Sequence, residues 1–560
     1  MEWPADPQKL SRRSALKALA GTATAGALAA CSDEGGSPRS ARADDGRVFQ
    51  HGVASGDPMA DRVILWTRLS GQSGPVGGEV IVYADPGESQ EVGRADFQTD
   101  GSRDWTVKVD FTGLAPQSSY YYRFVAAGMR SPLGRTRTAA SDAQHLRFAV
   151  ASCAKYHQAH WNSYAAIARM ADLDAVIHLG DYIYEETSKG SAIEGRALEP
   201  DIEIYTLSEY RERHAYYQTD PDLQEMQRQH PLIAIWDDHE IADNCYYEGA
   251  HRHFEDQHGP FPARRAAAVQ AFDEWMPIRT QPTPEGRLPF ERIYRQLPYG
   301  TLCDLTMIDP RLIGRDAPTP GPASDNPQPA DPLAVNDAGR SILGGTQRAW
   351  FEEQLASSEA RWKLVGNAVM FGQLHLAPGL RALGGGTVLN TDQWDGYRAE
   401  QNGVLDFIAD AGIEGVTVLT GDIHSAWAID LSPDPHNPAA YLPALGDTPA
   451  PELLRPVAVE FVTPGVGSGA GSTLGDLIPV ARELSPHIRY AQGGEERGFL
   501  LLDLSPDRLQ GDWYFTTTLE QPDPDSLQWG ASWYTGDGAH QMREAAGPTS
   551  AKPNPPPLAP

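Results

Sequence analysis

The sequence predicts a layered α/β domain preceded by a small all-β domain, and three observations carry that expectation. From Leu146 onward, short apolar runs alternate with helix-forming stretches, the order of strands joined by helices. Between Val48 and Thr138 the chain offers only short β-branched and aromatic runs separated by Gly, Pro and Asp turns, as small antiparallel sandwiches do. Four of the later apolar runs also stop abruptly at ligand-type residues, which puts chemistry along one edge of a sheet.

Residues 1–43 are set apart as an export signal and the start of a linker. Ser11-Arg12-Arg13-Ser14-Ala15-Leu16-Lys17 resembles a twin-arginine signal, with Ala15 where that motif usually carries Phe. The apolar run from Ala18 to Ala30 is too short and too rich in Ala, Gly and Thr to span a bilayer. Leu28-Ala29-Ala30-Cys31 resembles a lipoprotein cleavage box, so lipidation of Cys31 is expected; the alternative is cleavage after Ala41-Arg42-Ala43. With 560 residues, 41% hydrophobic and 22% charged, the chain has material for a large folded core. Its net charge of −29 argues against general nucleic-acid binding, and it means that an anionic substrate needs cations held locally. Four cysteines make no disulfide framework; Cys245 and Cys303 are expected as buried thiols, a bond between them being the alternative.

The first domain, 47–139, contains the strand-like runs VILWTRL, GEVIVYAD, WTVKVDFTGL and SYYYRFVAAG. Leu114-Ala115-Pro116 followed by Tyr120-Tyr121-Tyr122-Arg123 resembles the corner and strand of a fibronectin-type module. In the second, 145–520, helices are expected at 160–171, 207–218, 263–275, 346–357 and 399–411. Buried strands are expected in LRFAVA, DAVIHL, LIAIW, LCDLTMID, WKLVGNAVM and GVTVLT. Residues 314–345, rich in Pro and Gly, suggest a surface excursion, and 459–471 a strand running into a Gly-rich loop that is flexible rather than phosphate-binding. FLLLDL and LQGDWYFTTTL suggest a final strand pair. Residues 521–560 form a C-terminal extension whose Pro-rich end, Pro553–Pro560, is expected to be disordered.

The chemistry lies at the strand ends. LRFAVASC ends in Cys153, DAVIHLGDYIYEE delivers Asp181 and Tyr184, PLIAIWDDHE ends in Asp237-Asp238-His239-Glu240, and GVTVLTGDIH ends in Asp422 and His424. Cys153 and Tyr184 suit a redox metal such as iron, and His424 adds a nitrogen donor. Asp238, Asn244 and Asp422 offer the oxygen environment of calcium or magnesium. A carboxylate such as Asp181 has two oxygens and can bridge two cations, so the set describes two unlike pockets sharing one ligand. Such a centre acidifies a bound water and stabilises both the attacking and the leaving oxygen of an in-line displacement, which suits phosphoester hydrolysis. Each residue alone has a plainer explanation: Cys153 as a small buried hydrophobe, Tyr184 as core, His239 as an ion pair with its acidic neighbours. His178 reads as packed or as buttressing a ligand; Trp236 reads as packing, and Trp394 and Tyr397 as packing or as the site mouth. Together, in this order on these strand ends, the metal-site explanation prevails.

HGVASGDPMADRVILWTRL (51–69), Cys153, HLGDYIYE (178–185), WDDHEIADN (236–244), WKLVGNAVM (362–370), LNTDQWDGY (389–397), LTGDIHSAW (419–427) and PHIRY (486–490) follow one another in an order that resembles the PhoD-like alkaline phosphatases, within the calcineurin-like metallophosphoesterases. The resemblance runs from Phe49 to about Tyr514. It implies a fibronectin-like module followed by a four-layer αββα metallophosphatase core. It also implies a ferric ion with calcium, and hydrolysis of phosphomonoesters and phosphodiesters outside the cytoplasm by in-line attack of a metal-bound hydroxide. Carried over residue by residue, it puts Cys153, Asp181, Tyr184 and His424 on iron, Asp181, Asp238, Asn244 and Asp422 on the second metal, and His239 beside the leaving group or phosphate. Ile308-Asp309-Pro310-Arg311 departs from the family's pattern, with Pro in place of Thr, so Asp309 and Arg311 receive no role. The implied partners are a phosphate-ester substrate, the twin-arginine machinery and, through a lipid on Cys31, a membrane. Alternatives are a phospholipase D-type or nucleotide phosphodiesterase and, from a different class, a surface binding protein that has lost catalysis.

Overall fold

The computed structural model describes residues 42–43, 47–283, 288–320, 330–376, 387–388, 390–435, 455–470, 478–479, 482–483 and 485–560. All of them fall within one compact unit, Ala41–Pro560. The export segment and Cys31 lie outside the described residues.

Helices form at Asn162–Ala168, Leu207–Tyr217, Phe261–Trp275, Gly344–Ser357 and Arg398–Asp410, close to the expected stretches. A further helix, Pro221–Gln229, carries too few apolar residues to announce itself by periodicity. It is started by Asp220, whose side chain accepts from the amides of Asp222 and Leu223, and by Pro221 in the first turn.

Two sheets make the centre. The larger runs, edge to edge, Arg543–Glu544, Leu527–Gly536, Arg508–Thr516, Gly498–Leu504, Leu146–Ala151, Ala175–Leu179, Pro231–Ile235, Val53–Gly56, Arg62–Arg68 and Thr106–Thr112. The second runs Arg295–Tyr299, Cys303–Met307, Trp362–Gly366, Val416–Thr420, Ala458–Val462, Ser425–Leu431 and Ile488–Gly493. In each, four neighbouring strands run parallel at the middle, and all of them except Cys303–Met307 are buried along their whole length, which is why most read as apolar runs rather than alternating ones. The second sheet's two faces separate by the period of two: Leu419, Phe461, Ala426 and Ala428 join the core of the larger sheet. Val418, Val462, Trp427 and Ile429 pack with Phe351 and Leu355 of one helix and Val404 and Ile408 of another.

The strand ends of the two sheets converge because two glycines leave room. A Cβ at Gly180, whose φ is +94°, would lie 2.4 Å from the Asp237 amide nitrogen, and one at Gly421 would lie 2.7 Å from the Ser152 Cβ. Thr463 completes the join by donating its hydroxyl to the Val150 carbonyl at 3.0 Å.

The N-terminal β residues divide between two sheets. Val53–Gly56 pairs parallel to Pro231–Ile235, with Ser55 opposite Pro231, and so splices Arg62–Arg68 and Thr106–Thr112 onto the larger sheet. The strands Val76–Tyr83, Glu91–Thr99 and Ser119–Ala126 belong to a separate sheet, and Val80, Phe97 and Phe124 share a core with Val63, Leu65 and Phe111 of the spliced strands. A buried ion pair, Asp57 to Arg295 at 2.5 Å, fastens this end to the second sheet.

Two expectations are corrected here and a third is refined. The pair Gly498–Leu504 and Arg508–Thr516 is not final, since Leu527–Gly536 pairs onto its outer strand. The expected surface excursion, 314–345, is exposed or half-buried over most of its described residues, with Arg315 a fully buried exception. The Pro-rich end is ordered. Its carbonyls, which Pro leaves available, accept from the Tyr121 hydroxyl at Pro557 (2.6 Å), the Gln229 amide at Ala559 (3.0 Å) and Arg228 at Pro560 (2.8 Å). The Ala559 amide donates back to Gln229 at 2.8 Å, and the Ala559 methyl packs with Tyr83, Tyr121 and Leu133.

Candidate metal centre

Five of the residues picked out at the strand ends share an unusual backbone. Cys153, Asp181, Asn244, Asp422 and His424 have φ of +58°, +54°, +51°, +58° and +54°, a region that residues other than Gly rarely occupy and that the surroundings must hold. The holding contacts are visible. Cys153 donates its amide to Gly180 (3.1 Å), Ala154 donates to the Asp181 carbonyl (2.8 Å), and Gly467 and Ser468 donate to the Cys153 carbonyl at 2.9 and 3.0 Å. Glu240 accepts from the amides of Asp181 (3.1 Å), Tyr182 (2.5 Å) and Asp237 (2.8 Å), tying the ends of two strands together.

These contacts bring the candidate ligands into one place. Ligand atoms lie within 4.8 Å of one another in three groups: Cys153, Asp181 and His424; Asp181, Asp238 and His239; Asp181, Asp237, Asp238 and Asp422. Asp181 belongs to all three. Its Oδ2 accepts from the Tyr184 hydroxyl at 2.9 Å and lies 4.0 Å from His424 Nε2, while its Oδ1 is buried without a hydrogen-bond partner, as is Asp237 Oδ2. The Tyr184 oxygen also lies 2.6 Å from Ser468 Oγ. His424 Nδ1 stands 3.2 Å from the Gly469 carbonyl, which puts the proton there and frees Nε2 as a lone-pair donor toward Asp181 and Tyr184.

The electrostatics fit cations. Burial pushes Cys153, Asp181, Tyr184 and Asp237 well above their ordinary values, and Asp422 up to about 6. Asp238 is also buried, yet Arg311 and His239 outweigh that burial and hold its carboxyl below the usual range. A thiol, a phenol, an imidazole and carboxylates with orphaned buried oxygens make a donor set that positive ions would complete. The chemistry of the donors divides it: sulfur, phenol and nitrogen on the Cys153 side, oxygen alone on the Asp238 and Asp422 side.

His239 sits between these groups. Its Nδ1 is 2.7 Å from Glu185 Oε2 and its ring centre 4.1 Å from that of Tyr184. Burial alone would lower its proton affinity, but the carboxylates of Glu185, Asp238 and Asp181 raise it well above the ordinary value, which favours the imidazolium form. Asn244 donates its backbone amide to Asp238 Oδ2 at 2.6 Å and lines a cavity of about 530 Å³, together with Tyr246, His251, Pro318, Asp422 and His424. That cavity opens onto the oxygen-rich side.

The remaining expectations resolve one by one, several of them as read from the sequence. The Gly-rich loop after Ala458–Val462 makes no phosphate cradle over its described part, because the amides of Val466, Gly467 and Ser468 are spent on Ser152 and Cys153. Trp394 and Tyr397 are buried packing rather than the site mouth, bonded to Asn367 (3.1 Å) and to the Asp316 carbonyl (2.5 Å). His178 is buried against the Tyr164 hydroxyl at 2.8 Å, outside the ligand groups. Cys245 and Cys303 are free, buried thiols. Asp309 shapes a turn, accepting from Trp236 and from the amides of Arg311, Leu312 and Ile313. Arg311, set aside in the sequence, is fully buried and points at the site, bonded to Asp237 and, at 2.6 Å, to Asp392. Gln393 donates to Asp422 Oδ2. The signal for Arg311 was present in its position just past a buried strand, Cys303–Met307, at the same edge.

Comparison with known proteins gives a consistent picture. The family model described as PhoD-like phosphatase matches residues 148–513, and that of its N-terminal domain matches residues 35–140. Alkaline phosphatase D of Bacillus subtilis (strain 168) is 30% identical over 491 residues, covering 85% of this chain and 78% of that protein. The solved structure titled "Structure of PhoD" superposes with a TM-score of 0.78 at 28% identity, covering 91% of this chain and 94% of its own.

Proposed function

The chain belongs to the PhoD-like phosphatase family and is a phosphoric ester hydrolase, and we propose that it cleaves phosphomonoesters and phosphodiesters at the site around Asp181. One observation carries this reading. A single buried carboxylate belongs to every group of converging ligand atoms and keeps one oxygen without a hydrogen-bond partner. In the proposed assignment Cys153, Asp181, Tyr184 and His424 would hold ferric iron, and Asp181, Asp238, Asn244 and Asp422 would hold calcium, following donor softness. When bound, these cations supply the positive charge that polarises phosphoryl oxygens and acidifies water beside the ester.

The chain's own residues do the rest. Glu185 occupies His239 Nδ1, which leaves Nε2–H as the atom that donates to a phosphoryl or leaving-group oxygen as charge develops there. Tyr184 packs against the same ring, its plane tilted by 31° from that of the imidazole, and limits its rotation. Gln393 orients Asp422. The cavity of about 530 Å³ is far larger than a phosphate group needs and falls in the range of organic-ligand pockets, so the substrate's organic part has room beside Tyr246 and Pro318. That room also favours the diesterase reading, phospholipase D-type or nucleotide-directed, over strict monoester hydrolysis.

The layers around this site are read as the four-layer αββα sandwich, with the fibronectin-like module spliced to its larger sheet. Export rests on the twin-arginine-type segment around Arg12 and Arg13, with Cys31 as the lipidation site. No helix among the described residues is long and apolar enough to cross a membrane. The test is to purify the exported protein without chelator and measure metal content beside turnover of an aryl phosphate monoester and diester. Iron with calcium and turnover of both esters is expected; a metal-free protein that stays inert when both metals are supplied would overturn the assignment.

A further inference from the structure

Arg311 reaches more carboxylates than any ion pair requires. Its side chain is fully buried. Nε donates to Asp237, Nη1 donates to Asp392 at 2.6 Å, and Nη2 faces Asp422 Oδ1 at 3.5 Å and Asp238 Oδ1 at 3.8 Å without a hydrogen bond to either. The arm is held rigidly at its root: the Arg311 amide donates to Asp309 Oδ1 at 2.9 Å, and Arg315 binds the Asp392 carbonyl at 2.7 Å and the Pro310 carbonyl at 3.0 Å. A planar fork fixed in this way has no freedom to swing onto Asp238 or Asp422. It therefore offers those two oxygens an attractive charge without hydrogen-bonding to either, although Asp238 Oδ1 also accepts the His239 amide at 2.9 Å.

We propose that Arg311 is a positioning residue and a built-in cation of the oxygen-rich side: it keeps Asp237, Asp238 and Asp422 facing one another before a divalent ion arrives, and leaves Asp238 and Asp422 for that ion to take. The inference rests on the metal reading of the site. Without the guanidinium, four buried carboxylates would repel at close range, and protons or an added cation would have to relieve them. With it, the protein can complete its fold around a metal-free site and then load. Asp392, which is not among the converging ligand groups, is the anchor that stops Arg311 from competing with the ion.

The experiment measures melting temperature, for the full chain, in chelator and in saturating calcium chloride. In Arg311→Gln the gap between the two conditions widens by more than ~2 °C relative to the parent, because the metal-free form suffers most. Arg311→Lys, which keeps the charge, restores most of the parent gap. Asp392→Asn moves the gap the other way, narrowing it, since the released arm leans on Asp422 and Asp238. An Arg311→Gln variant that loses the same amount in both conditions overturns the proposal. If Arg311→Gln folds in neither condition, Asp392→Asn decides, and an unchanged gap overturns it. A parent protein whose melting ignores calcium refutes the metal reading itself, and with it the role of Arg311.

Discussion

Replacing Glu185 with Gln separates proton supply from everything else the site does. Glu185 Oε2 lies 2.7 Å from His239 Nδ1, and Oε1 accepts the Asp243 amide at 2.7 Å. A Gln side chain keeps the Asp243 contact through its carbonyl but turns an NH₂ toward Nδ1. The imidazole then accepts that bond only by giving up its Nδ1 proton, which leaves a neutral ring in place of the imidazolium. The lost interaction is one charge-assisted hydrogen bond in a buried setting, about 1.5–3 kcal/mol. If the leaving oxygen feels all of it in the transition state, kcat falls roughly 10- to 200-fold. The loss should depend on the leaving group. An alkyl phosphate needs the proton and shows the full decrease, whereas a nitrophenyl phosphate leaves as a stable anion and shows little. Steady-state kinetics on the two esters, with calcium and iron contents verified, measures this directly. Equal decreases for both esters, or none for the alkyl ester, would refute the assignment of His239 as proton donor and of Glu185 as its support.

Further expectations follow from the same geometry. Tyr184→Phe removes the phenol next to Asp181 and should abolish any visible tyrosine-to-iron absorption while leaving calcium bound; a surviving band places the chromophore elsewhere. Burial raises the proton affinity of Cys153, Asp181 and Tyr184, so loading the site must release protons, and calorimetry in buffers of different ionisation enthalpy should detect them. For stability in chelator the sign runs opposite to the usual carboxylate case. Asp422, raised from 3.8 to about 6, binds its proton more tightly in the folded protein, so its contribution is present below pH 3.8 and is lost as pH rises through about 6. Melting of the metal-free protein should therefore fall across that window and melting of the loaded protein should not; identical pH profiles would contradict the account. Deleting Pro553–Pro560 removes the hydrogen bonds to Tyr121, Arg228 and Gln229 and should cost about 1–3 kcal/mol in urea unfolding, with turnover unchanged.

The parts of the site that were legible in the sequence are those where a strand's apolar pattern breaks at a chemically unusual residue. Asp181, Asp238, Asp422 and His424 each follow a wholly buried strand, and Cys153 follows Leu146–Ala151, so pattern and chemistry coincide. Arg311 follows a strand as well, but an Arg past a Pro reads as a surface turn, and only the three-dimensional neighbourhood of Asp237 and Asp392 makes its burial tolerable. Asp392 and Gln393 reach the site from a connection with no strand pattern, so no strand end marked them, although both lie in the motif LNTDQWDGY. The splice of Val53–Gly56 onto Pro231–Ile235 joins residues far apart in the chain through backbone hydrogen bonds, which carry no side-chain signature. The docked C-terminal end failed for a related reason: a Pro-rich composition predicts few donors, and it does not reveal that Tyr121, Arg228 and Gln229 stand ready to supply them.

The most direct test of the shared-carboxylate centre is the metal content of Asp181→Asn, measured by mass spectrometry on protein refilled with iron and calcium and shown by circular dichroism to be folded. Because Asp181 alone belongs to every ligand group among the described residues, the account predicts that both metals are lost together. Retention of either one at full occupancy would contradict it.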